Sequence, residues 1–208
     1  MQASVTGLET QPDKPAVIMA ESGWTQTFAE LDAAANRLSR VFRNAGFQPG
    51  DHVALCLENH PRYLEILWGC EYAGLIYTAA SSRLTTDELA YIVNDCGAET
   101  LILGHQYWET YLAFKDGLDR SPGLIYAGDE PRPGADDFEE LTAPGPEPGD
   151  APAMDLNTPA CIMYTSGTTG LPKGVILTHG MIAWNSINTN LGWDLRSDDR
   201  TILHSAMF

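Results

Sequence analysis

The sequence predicts an α/β fold in which a largely parallel β-sheet carries helices on both faces. Short apolar runs, of which residues 53–57 and 101–103 are the clearest, are typical of buried strands. Between these runs lie longer stretches in which apolar residues recur every three or four positions, as on one face of a helix. Buried strands that alternate with amphipathic helices are typical of parallel sheets covered on both sides.

Local signals place the individual elements. Two capping boxes, Thr27 with Glu30 and Thr85 with Glu88, predict the first turns of two helices. Gly46 and the Pro-Gly pair that follows predict the end of the first of these helices. Two further helices are expected near residues 59–74 and 107–118, and strands are expected at residues 16–19, 24–27, 53–57, 75–78, 101–103 and 124–126.

The composition changes in residues 128–159, where prolines, glycines and acidic residues are concentrated. This interval is predicted to be a surface linker, with Phe138 to Leu141 as its one candidate for packing. The linker leads to residues 164–179, which contain a loop between two short apolar runs. Beyond them, residues 181–191 predict a helix, and residues 201–203 predict the start of a strand that runs toward Phe208.

Charge and cysteine usage narrow the class of protein. The 12 Lys+Arg against 28 Asp+Glu give a formal charge of −16, which offers no basic face for nucleic acid or an anionic membrane. The four cysteines lack the spacing of a zinc site and are interpreted as buried free thiols of a reducing compartment. We find no secretory signal or membrane-spanning run, so a soluble cytoplasmic protein is expected. Composition says nothing about the oligomeric state.

Residues 164–179, YTSGTTGLPKGVILTH, have the composition of a phosphate-binding loop. Glycine lacks the Cβ that would keep backbone N–H groups away from phosphate oxygens, and hydroxyls and a lysine add further donors. Lys173 is one of only three lysines in the chain. The apolar runs on either side predict a strand–loop–strand hairpin. A polar turn that is merely rich in Ser, Thr and Gly is the plainer alternative.

The loop differs from a Walker A loop because Pro172 precedes Lys173 and Gly174 follows it. Residues 165–174 instead resemble the signature loop of the adenylate-forming (AMP-binding) superfamily, which includes acyl-CoA synthetases, adenylation domains of peptide synthetases and luciferases. The resemblance extends over residues 12–103 and 159–208 and is absent from the acidic linker. Residues 79–82, Ala-Ala-Ser-Ser, depart from the Pro-Leu-Asn-Pro type sequence of many relatives.

The resemblance implies ATP-dependent activation of a carboxylic acid, fatty or otherwise hydrophobic, as an acyl-adenylate, followed by transfer of the acyl group to CoA. Mg²⁺ is the implied metal, and Thr165 matches a family position associated with it. The residues that match the phosphate-holding positions are Thr165, Ser166, Gly167, Thr168, Thr169, Gly170 and Lys173.

Met207 and Phe208 match the start of a family motif near the acyl and adenylate pocket, and His204 precedes it. Phe208 and His204 are therefore candidate substrate-pocket residues. The resemblance also implies that residues 1–208 are part of a large N-terminal domain, without its remainder or a small C-terminal domain. No catalytic residue is assigned, and the chain alone is expected to bind ATP weakly without turnover. Two alternatives stay open: an adenylation domain that loads a carrier protein, and a nucleotide-binding module without catalysis.

Overall fold

The computed structural model describes residues 11–81, 83–143, 152, 154–165, 170–203 and 207. Among them, an antiparallel pair, β1 (Pro15–Ile18) and β2 (Thr25–Thr27), precedes the main sheet. The other strands are β3 (His52–Cys56), β4 (Ile76–Ala79), β5 (Thr100–Gly104), β6 (Gly123–Ala127), β7 (Asp136–Asp137), β8 (Pro159–Thr165) and β9 (Lys173–Thr178). The α-helices are α1 (Phe28–Asn44), α2 (Arg62–Ala73), α3 (Thr86–Asp95), α4 (Trp108–Phe114), α5 (Phe138–Leu141) and α6 (His179–Trp193).

Within the described residues, seven strands form one sheet in the order β7-β6-β5-β3-β4-β8-β9. Every neighbouring pair is parallel except β8 and β9, which are antiparallel. The predicted α/β class with a largely parallel sheet is therefore confirmed. The strand order could not be inferred, because β5 lies on the opposite side of β3 from β4, although it follows β4 in the chain.

The capping boxes form as predicted. The Thr27 side chain accepts a hydrogen bond from the Glu30 N–H at 3.2 Å, and Glu30 accepts one from the Thr27 N–H at 2.8 Å. Thr85 and Glu88 repeat this exchange at 3.3 Å and 2.8 Å. Each box satisfies two N–H groups that the first turn of a helix leaves without partners.

Helices cover both faces of the sheet, and each face has its own core. On one face α1 and α2 pack on the sheet around Leu38, Tyr63 and Ile66, and on the other α3 and α4 pack around Leu89 and Trp108. Helices α1 and α2 approach closely at Gly69, where an added Cβ would lie 2.9 Å from Cδ2 of Leu38. Residues of β3 point alternately into the two cores, as a central strand requires.

Part of residues 128–159 is built into the sheet edge. Strand β7 extends the sheet beside β6, and Phe138 at the start of α5 is only 1% exposed. The Arg132 guanidinium lies 5.4 Å from the Tyr126 ring centre and 5.8 Å from that of Trp108, so its charge sits over aromatic faces. Residues 144–151, in the middle of the predicted linker, lie outside the described part of the chain.

The strand predicted at residues 201–203 is wrong. These residues have no regular structure, and Ile202 and Leu203 are 84% and 57% exposed. An apolar run predicts burial, but a strand also needs a neighbour whose N–H and C=O groups complete its ladder. No such neighbour is present among the described residues. Among all the residues that the structure describes, no helix is long and apolar enough to cross a membrane.

Candidate functional site

The ends of β8 and β9 bring together three of the predicted phosphate-binding residues. Thr165 is the last residue of β8, Lys173 is the first of β9, and the two are directly paired across the antiparallel ladder. Their side chains consequently point to the same face of the hairpin. Gly170 has φ of +116°, a conformation that residues with a Cβ rarely adopt.

The other predicted site residues cannot be placed. Ser166, Gly167, Thr168, Thr169, His204 and Phe208 lie outside the described residues. Their assignment to the phosphate loop and to the substrate pocket therefore stays a prediction, as does the assignment of Thr165 to Mg²⁺.

The hairpin opens at the carboxyl edge of the parallel strands. Because β8 runs parallel to β4, Thr165 at its end lies at the same edge of the sheet as Ala79 at the end of β4. Ligands of open α/β sheets bind at this edge, where loops of different strands meet and backbone groups are free of the ladder. The position therefore suits a loop that receives a nucleotide.

A cavity of about 420 Å³ adjoins this edge. Its lining contains both polar residues and an apolar wall, to which α2 and β4 contribute. The polar residues include Ser81, Arg83 and Thr165, and the apolar wall includes Leu67, Tyr77, Ala79 and Met207. A cavity lined by both kinds of residue can accommodate an amphipathic ligand.

Arg83 is a cavity residue that the sequence did not identify as functional. It lies in the loop between β4 and α3, is exposed, and makes no ion pair within the described part of the chain. Lys173 is also exposed but does not line the cavity. A planar guanidinium can donate two parallel hydrogen bonds to a phosphate or carboxylate, which an ammonium group cannot. In the sequence, the only signal at Arg83 is its position just before the capping box of Thr85 and Glu88.

Glu88 also lines the cavity, but its carboxylate is already engaged. Its Oε2 accepts from the Thr85 N–H at 2.8 Å and from the Thr85 hydroxyl at 2.9 Å. These hydrogen bonds lower the pKa of Glu88, chiefly through the backbone N–H, and so favour its ionised form. Glu88 therefore serves the start of α3.

Tyr164 fixes the hairpin to α3. Its hydroxyl donates to Oδ2 of Asp95 at 2.5 Å, across a sequence separation of 69 residues. Burial, together with this hydrogen bond, raises the pKa of Tyr164, so the hydroxyl stays protonated and acts as the donor. The contact therefore holds Tyr164, the neighbour of Thr165 in the chain, in place.

Gly174 has a packing role that the sequence did not reveal. A Cβ at this position would lie 2.8 Å from Cγ2 of Ile162 and 3.2 Å from Cζ of Tyr164. The glycines of the loop were all interpreted as allowing close approach to phosphate. At Gly174 the close approach is to the facing strand of the hairpin.

Two other features lie away from the hairpin loop. His179 is the first residue of α6, and burial lowers its pKa. A groove of about 1040 Å³ lies beside the end of α1 and the amino ends of β5 and β6, where it is lined by Arg40, Thr100 and Gly123. It is larger than the cavity at the hairpin, but it is at the opposite edge of the sheet from the loop and contains none of the predicted site residues.

Comparison with known proteins identifies the family of this chain. The family described as AMP-binding enzyme matches residues 5–208. Feruloyl-CoA synthase of Amycolatopsis sp is 39% identical over 194 residues, which are 93% of this chain and 36% of that protein. Fatty acid–[acyl-carrier-protein] ligase ScoC of Streptomyces coeruleorubidus is 32% identical over 175 residues, 81% of this chain and 31% of that protein.

The fold is also that of a solved structure. Acetoacetyl-CoA synthetase from Streptomyces lividans superposes with a TM-score of 0.88 at 24% identity, covering 98% of this chain and 34% of that one. The chain thus spans about a third of the length of the proteins it matches. The matched family, the identity with these relatives and the shared fold agree, and the chain belongs to the AMP-binding enzymes, the adenylate-forming superfamily that its signature loop resembles.

Proposed function

We propose that this chain provides the nucleotide phosphate-binding part of an enzyme that uses ATP to activate a hydrophobic carboxylic acid and then transfers the acyl group to the thiol of CoA. The observation that carries the proposal is the hairpin end with Thr165, Gly170 and Lys173, set beside a cavity that is lined by both polar and apolar residues. The relatives support the same class, since one is named for a feruloyl thioester and another for a fatty acid.

The reaction has two steps. In the first, a carboxylate oxygen attacks the α-phosphorus of ATP, the bond to the β-phosphate oxygen breaks, and pyrophosphate leaves. In the second, the thiol sulfur attacks the acyl carbon, the bond to the AMP oxygen breaks, and the thiol proton goes to solvent. Negative charge grows on the leaving pyrophosphate in the first step, and donors that already face it lower the barrier.

The described residues have distinct tasks in this proposal. Lys173 neutralises charge on the terminal phosphates, Gly170 allows the backbone to turn toward them, and Arg83 donates to a pair of phosphate oxygens from the cavity. Thr165 offers a hard hydroxyl oxygen, which fits Mg²⁺ that is bound mainly by phosphates and water. Mg²⁺ would supply further neutralisation of the phosphate charge.

The nature of the acyl acceptor is a second question. A carrier-protein thiol in place of CoA is the other candidate, and the relative ScoC, named as an acyl-carrier-protein ligase, favours it. The two acceptors share the first half-reaction, so the test begins with adenylate formation.

The test uses the product of the complete open reading frame and, in parallel, the 208-residue chain. Acid-dependent release of pyrophosphate from ATP is measured with a panel of aromatic and fatty acids, and adenylates are trapped with hydroxylamine. CoA and a carrier protein are then compared as acceptors. We expect activity from the product of the complete frame and, at most, weak ATP binding by the 208-residue chain.

Lys173→Ala is the decisive variant. Loss of a hydrogen bond to a charged group weakens an interaction by about 1.5–3 kcal/mol, so we expect kcat/KM for ATP to fall about 10- to 100-fold. Lys115→Ala removes an exposed lysine just after α4, outside the cavity, and is expected to retain full activity. If no acid in the panel supports pyrophosphate release, the enzyme proposal fails; nucleotide binding in that case would favour the non-catalytic module.

A further inference from the structure

Both backbone polar groups of Met207 are held by side chains far from it in the sequence. The Met207 N–H donates to Oδ1 of Asn59 at 3.0 Å, and the Met207 carbonyl accepts from the Tyr63 hydroxyl at 2.8 Å. The two partners are 148 and 144 residues away along the chain. Met207 is therefore fixed in both position and direction, because one hydrogen bond holds the peptide unit on each side of its Cα.

The partners belong to a rigid part of the fold. Asn59 lies in the loop between β3 and α2, and Tyr63 is in the first turn of α2, with 1% of its surface exposed. Tyr63 packs in the core cluster that includes Leu55 and Ile66. Burial raises the pKa of Tyr63, so its hydroxyl stays protonated and remains a donor to the carbonyl.

The clamped residue is part of the cavity wall. Met207 lines the cavity together with Leu67, Tyr77 and Ala79, and it packs against the core beneath. Leu67 lies four positions after Tyr63, on the same side of α2. The side of α2 that contributes the clamp therefore also contributes the neighbouring wall residue.

Methionine is a flexible wall residue, and its side chain can adapt to ligands of different shape. Its backbone must then be held, or the wall would have no defined distance from the hairpin at Thr165. The two hydrogen bonds to the Met207 backbone set that distance and leave the side chain free to change rotamer.

We propose that Asn59 and Tyr63 are positioning residues that fix Met207 and so determine which acids fit against the apolar wall of the cavity. This inference rests on the proposed function, because it assigns the apolar wall to the acyl group. Neither residue is placed on the reacting atoms. Their effect is on the length and width of the acid that is accepted.

The test compares Asn59→Ala and Tyr63→Phe with Tyr72→Phe in the product of the complete open reading frame. Tyr72 is on the same helix and donates its hydroxyl to Oδ1 of Asp32 at 2.7 Å, so the control removes an equivalent hydrogen bond away from the cavity. Tyr63→Phe keeps the aromatic ring in the core. Circular dichroism and urea unfolding verify that each variant is folded.

The first measurement is hydrogen–deuterium exchange of peptides that contain Met207. We expect Asn59→Ala to speed exchange at the Met207 amide, and Tyr72→Phe to leave it unchanged. Equal exchange in Asn59→Ala and the wild type overturns the clamp. This measurement does not depend on catalytic activity.

The second measurement is the ratio of kcat/KM for a long and a short acid. Loss of one hydrogen bond corresponds to about a 2- to 10-fold effect, and we expect that ratio to change by this factor in Tyr63→Phe and Asn59→Ala, with KM for ATP unchanged. Tyr72→Phe is expected to keep the wild-type ratio. An unchanged ratio in the two clamp variants refutes the role in acid selection. Absence of any acid-dependent activity in the wild type refutes the proposed function and, with it, the role in acid selection. The exchange measurement still tests whether Asn59 holds the Met207 backbone.

Discussion

Replacement of Gly174 by alanine tests whether this glycine is required by packing. The new methyl group would lie 2.8 Å from Cγ2 of Ile162 and 3.2 Å from Cζ of Tyr164, both closer than van der Waals contact. Ile162 is β-branched and has few rotamers to move into, and the Tyr164 hydroxyl is held by Asp95. Overpacking of this kind costs about 1–3 kcal/mol. We expect about 1–2 kcal/mol, because the hairpin face is partly open and its side chains can shift toward solvent.

The free energy of unfolding would be measured by urea titration, followed by tryptophan fluorescence. For a protein of this size the loss corresponds to a fall in Tm of about 2–4 °C per kcal/mol. Gly192→Ala is the matched control, since Gly192 lies in α6 and a Cβ there would meet nothing within 4 Å. Alanine should stabilise that helix by about 0.5 kcal/mol. Equal stability of Gly174→Ala and the wild type would refute the packing explanation and leave approach to phosphate as the reason for the glycine.

Two further predictions concern charge. Burial lowers the pKa of His52 from its ordinary 6.5, so the folded protein binds a proton less readily than the unfolded chain, and stability is lost as pH falls below about 6.5. The urea midpoint of His52→Gln should therefore fall less between pH 7 and pH 5.5 than that of the wild type. An equal fall in both proteins contradicts the role of His52 in this pH dependence. Arg83→Gln should raise KM for ATP about 10-fold or more without changing the free energy of unfolding, because it removes a charged donor from an exposed site. Steady-state kinetics measure KM for ATP, and an unaltered value excludes Arg83 from phosphate binding.

The features that the sequence predicted well are those with local causes. The capping box of Thr27 and Glu30 depends on residues three apart, and the buried strands depend on short apolar runs, so the class of fold could be inferred without knowing any tertiary contact. The hairpin of β8 and β9 likewise follows from two strands joined by a short loop.

The features that escaped prediction depend on distant residues. The contact of Tyr164 with Asp95 and the contacts of Met207 with Asn59 and Tyr63 join parts of the chain that no periodicity connects. The failed strand at residues 201–203 has the same origin, since an apolar run does not specify a partner. The signature loop predicts a phosphate site, but the apolar wall of the cavity became visible only when α2, β4 and Met207 were placed together.

The burial of the cysteines gives the protein an internal probe of its own opening. All four, Cys56, Cys70, Cys96 and Cys161, are buried and free, and burial raises their pKa values, that of Cys56 to about 12. Alkylating reagents attack the thiolate, so the closed molecule is nearly inert to them. Each thiol becomes reactive only when the element around it opens. Because they lie in β3, in α2, just after α3 and in β8, the rates of alkylation read by mass spectrometry rank these four regions by how often each one opens.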